Sequence, residues 1–421
     1  MILDAGLILY IGLLVLLTWR WLSGWRFCGA ALRYSNYCAL LYVLLLVLLL
    51  YAVVQFIRTA VSSGGKASWD GLPGWLRPLL LGTPAAIVIS YCLCCAQTLQ
   101  HAREIWHDRA TLKHDRAVQI VALPAVYGVL AMNSLARMFQ LNSGNFHEDI
   151  HVGRKESKSG VAAAEDPVQL YISKSDTCFW VGDLYEAWAL YQFGKLSLEL
   201  IRASLWKMQH SQQQEEREKA HAIMVAISAV ESIAWLGVSL FLIVCILQAG
   251  WSIYLLTFTR HDDWETYNTR VAQFGAAGMV ASAGAIYNVH IVESTFHQYL
   301  EGYRPLLKFI TVKIIVSFAF FQKGIFRILK ALKQTFPQVM QNIVNGCPLL
   351  GDILNFSDVH FQLFYDSLIL YECILISLLH LWGWSAHEDW YLQDKTEQEE
   401  AASERTPLVG SASSTEAPRN V

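Results

Sequence analysis

Charge is what this sequence lacks most. Of its 421 residues only 16% are Asp, Glu, Lys or Arg, and the formal balance is −3. Soluble domains carry about 25% charged residues, so a chain that is 54% hydrophobic has too little polar surface to cover a soluble globule of this size. The small net charge and the lack of a basic, aromatic-interleaved surface exclude a nucleic-acid partner. There is no G-x-x-x-x-G-K-[ST] segment, so no ATP-binding loop drives the protein, and no G-x-S-x-G nucleophile elbow. No internal repeat is visible, which argues against an inverted-repeat transporter. No cofactor motif is present.

What fills the chain instead is long apolar runs. Nine stretches approach the length that crosses a ~30 Å hydrocarbon core as a helix: Leu3–Leu22, Tyr37–Ile57, Leu79–Leu99, Val118–Phe139, Cys178–Leu200, His221–Gln248, Val271–Val292, Phe309–Leu329 and Phe361–Trp384. The expected fold class is therefore all-α, a polytopic membrane helix bundle. Leu3–Leu22 lacks a positively charged n-region and a convincing cleavage site, and Trp19, Trp21 and Trp25 form an interfacial belt, so it reads as a retained span. The Leu141–Thr177 segment reads as a long polar loop, and the tail from Gln393 as disordered. Lys and Arg divide almost evenly between the two sides, so the positive-inside rule sets no orientation. Lys323, Arg327, Lys330 and Lys333 form the basic face of an amphipathic helix suited to an anionic membrane surface.

The nine cysteines form no paired Cys-x-x-Cys zinc framework. Cys92, Cys94 and Cys95 cluster in the third span, either as small packing residues or as S-acylation sites. Cys178 and Cys347 fall in same-side loops and could form a disulfide. His290-x-x-Glu293-x-x-x-His297 has the ligand types and spacing of a catalytic zinc, although polar residues at a span exit need no metal to explain them.

Ionisable residues inside the spans carry the functional signal, because a charge facing lipid costs about 2.5–3.5 kcal/mol on insertion scales. Asp183 and Glu186 lie three residues apart and share a helix face. Asp183 reads as lying near its helix start, where an acid suits the macrodipole. Glu186 lies deeper, with Lys313 a candidate partner. Glu372 and His380 punctuate the last span, while Lys308 and Glu199, near span ends, read as snorkelling to water. Tyr185, Trp188 and Tyr191 recur at helical spacing, which by default means helix packing.

Four segments in order then resemble one family, the organic solute transporter alpha-subunit superfamily, which includes the transmembrane protein 184 group. Leu123-Pro-Ala-Val-Tyr127 with Ser134-Leu135 resembles its proline–tyrosine span, and Tyr185-Glu186-Ala187-Trp188 with Tyr191 and Phe193 its Tyr-Glu-Ala-Tyr segment. Lys308-Phe309-Ile-Thr-Val312-Lys313, ending in Phe320-Phe321-Gln322, is similar to its Lys-Phe-x-x-Val-Lys span. Glu372, His380 and Trp384-Ser385 are similar to its last span. Trp188 and Phe321 depart from the pattern, and the cysteine cluster of the bile-acid-type alpha subunits is missing from Gln209–Lys219.

The resemblance implies a seven-helix core over residues 76–390, outside N-terminus and cytosolic C-terminus. Residues 1–60 then hold two additional transmembrane helices and 393–421 a cytosolic tail. It implies facilitated movement of amphipathic organic solutes, steroid- or bile-acid-like, or of lipids, on endosomal or vacuolar membranes or the plasma membrane. Membrane lipids, the solute, and a second copy or a small single-span subunit are the partners it suggests. Asp183, Tyr185, Glu186, Tyr191, Lys313, Gln322, Glu372 and His380 either line the substrate path or lock helices together. A non-transporting receptor-like or scaffolding protein is the alternative, and an intramembrane zinc hydrolase a third. Glu404-Arg-Thr-Pro-Leu408-Val409 nearly matches an acidic dileucine sorting signal.

Overall fold

The computed structural model describes residues 5–23, 35–62, 69, 71–107, 111–143, 167–210, 214–258, 264–300 and 302–391. These are helical throughout, with no strand among the described residues: α1 (Ala5–Ser23), α2 (Ser35–Ser62), α3 (Leu76–Trp106), α4 (Thr111–Val121), α5 (Leu123–Asn142), α6 (Pro167–Gln209), α7 (Gln214–Phe258), α8 (Trp264–Thr295), α9 (Pro305–Thr335), α10 (Pro337–Gly346), α11 (Pro348–Leu354) and α12 (Asp358–Gly383). The sequence sets several of these boundaries locally. Proline opens α9, α10 and α11, where its missing N–H costs nothing. Ser357 caps α12, its hydroxyl accepting from the His360 N–H at 3.2 Å, with Asp358 in the first turn.

Among the described residues, six helical stretches are long and apolar enough to cross a membrane by length and composition: Cys38–Val61, Leu76–Trp106, Leu112–Asn142, Leu236–Thr257, Thr266–Val292 and Asp358–Gly383. The chain is therefore a multi-pass helical bundle. Its centre is α4–α5, whose apolar stretch is wholly buried, packed by α2, α3, α6 and α12. At the periphery α8 has only 18% of its apolar stretch buried. Exposed Met279, Val280 and Tyr287 on α8, like Leu236 and Leu240 on α7, form the apolar exterior that suits lipid.

Several boundaries differ from expectation. α6 and α7 have 43 and 45 residues, about 65 and 68 Å at 1.5 Å per residue, and they form an antiparallel hairpin reaching beyond any bilayer. Of the polar Gln209–Lys219 stretch, Gln209 and residues 214–219 are helical, because Glu and Gln are good helix formers. The expected His221–Gln248 run lies wholly within α7. α6 also begins at Pro167, inside the expected Leu141–Thr177 loop. The basic positions 323–333 are the last turns of α9; Lys330 donates to Asp358 at 3.2 Å and Lys333 to Asn355. Trp25, most of the segment between α5 and α6, and the tail from 392 lie outside the described residues.

Candidate functional site

Glu186, halfway along α6, is fully buried, and Lys313, in the third turn of α9, is nearly so. Lys313 Nζ donates to Glu186 Oε1 at 2.6 Å and to Ser282 Oγ of α8 at 2.8 Å, and lies 5.3 Å from the Phe241 ring centroid of α7. Four helices therefore meet at one ammonium group. Glu186 Oε2 is buried without a hydrogen-bond partner. A buried pair offsets the desolvation of its two charges only when its geometry is good and its remaining lone pairs are satisfied; this one meets the first condition and leaves one oxygen outside the second. Asp183, one turn earlier, accepts from the Tyr127 hydroxyl of α5. Because α6 starts at Pro167, Asp183 sits in the fifth turn, beyond reach of the macrodipole. Tyr127 is one group that holds it, at a place the helix end does not reach.

Alongside this pair runs an apolar groove of about 260 Å³ between α6, α7, α8 and α9. Tyr191, Phe193, Val238, Ile286, His290, Leu306 and Phe309 are among its walls, with Ser197 as a polar side chain on α6. Neither Glu186 nor Lys313 lines it, but Val238, Ile286 and Phe309 are three or four residues from Phe241, Ser282 and Lys313 on their own helices. Three walls thus lead in register to the three groups around the ammonium, a helical turn or about 6 Å deeper. At its other end the groove reaches Leu300 and Pro305, where α8 turns into α9.

The other expected residues divide among separate contacts. Tyr185 donates to the Gln119 carbonyl of α4 at 2.7 Å, and Trp188 Nε1 to Gln119 Oε1 at 3.0 Å. Tyr191 stacks on Trp188 and lies under the Lys195 ammonium at 4.8 Å. Gln322 of α9 donates to Glu372 of α12, and Gln322 Oε1 and Glu372 Oε2 are left without partners. His380 donates through Nε2 to the Thr311 carbonyl at 3.0 Å. Cys94 is buried against Ser377, Cys95 is half-buried and Cys92 exposed; all three lie mid-way along α3, which continues to Trp106. Cys178 is buried within α6 and Cys347 exposed between α10 and α11, and the two do not form the disulfide that their loop placement allowed. α8 ends at Thr295, and His297 begins a separate 3-10 turn, so the helical face that would carry His290, Glu293 and His297 is interrupted; the side chains of Glu293 and His297 lie outside the described residues.

Sequence reasoning missed a polar, aromatic cluster at the end of the bundle where α12 finishes. Lys308 does not snorkel. It is fully buried, donating to the Tyr303 carbonyl at 2.8 Å and Glu388 at 2.7 Å, with the rings of Tyr303, Trp384 and Trp390 within 4.7–5.5 Å of Nζ. Such cation–π contacts strengthen when desolvated. Beside it His101 donates through Nε2 to the Trp384 carbonyl at 3.0 Å and meets His114 Nδ1 at 2.9 Å, while Tyr391 stacks on His114. Gln97 bridges the His380 and Trp384 carbonyls. Burial pushes the phenols of Tyr303 and Tyr391 well above the usual tyrosine range, so both stay neutral. Glu199, also expected at the surface, pairs with Arg116. The convergence of Trp384, Trp390 and Tyr303 on Lys308 depends on the turn before α9, where Gly302 and Arg304 both adopt positive φ, and no run of the sequence signals it.

The bundle and its buried charges define a multi-pass integral membrane protein. Residues 168–388 match the family described as the organic solute transporter Ostalpha, slightly more than half the chain, and the protein belongs to that family, a transporter family. The match spans α6 to α12 and so includes the ion pair, the groove, and Lys308 with Tyr303, Trp384 and Glu388, whereas the Leu123–Tyr127 segment, His101 and His114 lie before it and Trp390 and Tyr391 after it. No curated protein and no solved structure matches the chain.

Proposed function

We propose that the protein carries amphipathic organic solutes of steroid-like shape across the membrane, with the α6–α9 groove as the solute site. The observation that carries this reading is the groove itself, an apolar channel between helices whose walls lead in register to a buried Lys–Glu pair. A rigid apolar body fits the walls, and an anionic head has Lys313 one turn deeper as its counter-charge. The volume is close to the lower end of small-molecule sites, about 300–1,000 Å³, so part of the solute remains outside it. Tyr191 and His290 supply polar edges along the way. Gln322, Glu372 and His380 do not line the groove, and their role in this reading is to hold α9 and α12 together. α1 and α2 are additions to the transporting core, and the acidic dileucine-like segment at Glu404–Val409 directs the protein to endosomal membranes.

The test is flux. Proteoliposomes of the purified protein should move pregnenolone sulfate faster than empty liposomes, and Ile286→Trp, which fills the groove, should bring the rate to the empty-liposome level. Equal rates with and without protein would end the carrier reading. A second reading, a helix-locked receptor or scaffold, draws on the direct 2.6 Å contact of Glu186 and Lys313. It expects Glu186→Gln to lower thermal stability and leave any flux untouched.

A further inference from the structure

The seam between α9 and α12 leaves two buried oxygens of a single contact unsatisfied. Glu372 lies near the middle of α12, in a stretch long and apolar enough to cross a membrane. Its one hydrogen-bond partner among the described residues is Gln322 of α9, whose Nε2 donates to Glu372 Oε1. Glu372 Oε2 and Gln322 Oε1 are buried without partners. Other acids of the bundle are placed differently: Glu186, Glu388 and Glu199 each meet a cation, Lys313, Lys308 and Arg116 in turn. Glu372 meets only a neutral amide. A carboxylate without a counter-ion in apolar surroundings takes up a proton in preference to staying charged. One hydrogen serves both orphaned oxygens at once. Placed on Glu372 Oε2, it turns an acceptor into a donor, and Gln322 Oε1 is the acceptor beside it on the same amide.

We propose that Glu372 is a neutral carboxylic acid closed onto Gln322 in a two-bond acid–amide ring, and that this makes the α9–α12 seam a modification site for lipid-soluble carbodiimides. In the ring Gln322 Nε2–H donates to Glu372 Oε1 and Glu372 Oε2–H donates to Gln322 Oε1. Both orphaned oxygens are then satisfied and no charge faces lipid. Leu375, three residues on and so on the same face of α12, is 62% exposed, and Glu372 is itself only partly buried. An apolar reagent therefore reaches the acid from the bilayer. The reaction needs the proton, which moves to a carbodiimide nitrogen while a carboxyl oxygen adds to the central carbon. The resulting O-acylisourea rearranges to a stable N-acylurea as the acyl group shifts from oxygen to nitrogen, and no atom leaves. An ionised carboxylate lacks that proton and stays unmodified.

The titratable groups on the helices packed against α12 are engaged elsewhere. On α9, Lys308 and Lys313 are held by Glu388 and Glu186, and the side chain of Lys323 lies outside the described residues. On α3, Cys94 lies against Ser377, and His101 meets His114 and the Trp384 carbonyl. On α5, Tyr127 holds Asp183 of α6, and Arg137 lines a small pocket with Tyr51 and Gln55 of α2. Along α12 itself, Asp366 accepts from Ser134 and Gln362, Tyr365 sets its ring edge-on to Phe179 of α6, and Cys373 lies beside Gly128 of α5. Tyr371 donates to the Leu79 carbonyl at 3.0 Å, and His380 meets the Thr311 carbonyl at 3.0 Å. None of the cations in this set is bonded to Glu372.

Glu372→Gln tests the proton, because its new amide N–H stands where the acid O–H is placed and keeps the ring closed. The purified full-length variant should match the wild-type Tm at neutral pH. As the pH rises, the wild type should lose Tm relative to the variant: the unfolded chain holds no proton at this position there, so unfolding releases one and becomes easier in alkali. Labelling reads the same proton in the wild type. Dicyclohexylcarbodiimide added to proteoliposomes should leave an N-acylurea on Glu372 at neutral pH, located by mass spectrometry. Its yield should fall by up to about tenfold per pH unit once the acid ionises, and a water-soluble cationic carbodiimide should leave the position unmodified. A Glu372→Gln protein that fails to fold, or melts well below the wild type at neutral pH, would overturn the proposal by showing that the charge is needed. So would a wild-type Glu372 left unmodified by the lipid-soluble reagent at neutral pH.

Discussion

Glu186 and Lys313 lie 127 positions apart in the chain and meet at 2.6 Å. Removing one member leaves the other charged and buried, which costs about 3–5 kcal/mol, while replacing both with apolar residues of similar volume is often neutral or stabilising. Glu186→Gln and Lys313→Met should therefore each lower Tm in detergent, and the double variant Glu186→Met, Lys313→Met should recover most of the loss. A double variant as unstable as the sum of the singles would show that the pair is not coupled. Gly182 is a second exacting position. A Cβ there would lie 2.9–3.2 Å from three ring atoms of buried Tyr127, whose hydroxyl holds Asp183. Gly182→Leu should overpack this contact, at a cost of about 1–3 kcal/mol, visible as a Tm decrease; unchanged stability would mean that the ring has room to move. At this scale much of the site was legible in sequence. Charges in apolar runs are too costly to be incidental, so Glu186 and Lys313 stood out on composition alone. Asp183 was misplaced because helix starts depend on caps and loops, and α6 extends back to Pro167 through residues too polar to look like a span.

For the elements, hydrophobic length found the helices and polar stretches concealed their ends. Most of the expected apolar runs fall within a single helix, and Val118–Phe139 is divided between α4 and α5; α6 and α7 continue far past theirs because Glu, Gln, Lys and Arg are good helix formers outside lipid. The turn between α8 and α9 could not be read this way. Positive φ at Gly302 and Arg304 aims α9 so that Lys308 enters the ring of Tyr303, Trp384 and Trp390, and Glu388 follows on the segment after α12. The ammonium thereby latches 384–391 to the start of α9. Lys308→Met, which keeps the volume and removes the charge, leaves Glu388 without its cation. The segment should then be cut sooner in limited proteolysis, at Trp390 or Tyr391 by a chymotrypsin-type protease, and Glu388→Gln should act in the same direction with smaller effect. Cleavage no faster than in the wild type would show that ring packing alone holds the segment.

Across the whole molecule, burial is graded from the closed α4–α5 centre to lipid-facing α8, and the groove lies towards the α8 side. On the proposed carrier reading, an amphiphile would enter sideways from the bilayer at the rim, with its apolar body never crossing water. On the same reading the Lys313 ammonium, a helical turn beyond the lining, would serve as the counter-charge for its head. That correspondence could not be extracted from the sequence, because it depends on the register of α7, α8 and α9 against one another, three separate choices that no single run of residues records. Photolabelling therefore addresses the central claim most directly. A diazirine-bearing steroid sulfate, crosslinked to the full-length protein in membranes and mapped by mass spectrometry, should modify Tyr191, Ile286 and Phe309, with labelling competed by unmodified sulfate and lost in Ile286→Trp. Competable adducts confined to the α1–α2 or α3 surface, with none on α6, α8 or α9, would contradict the account.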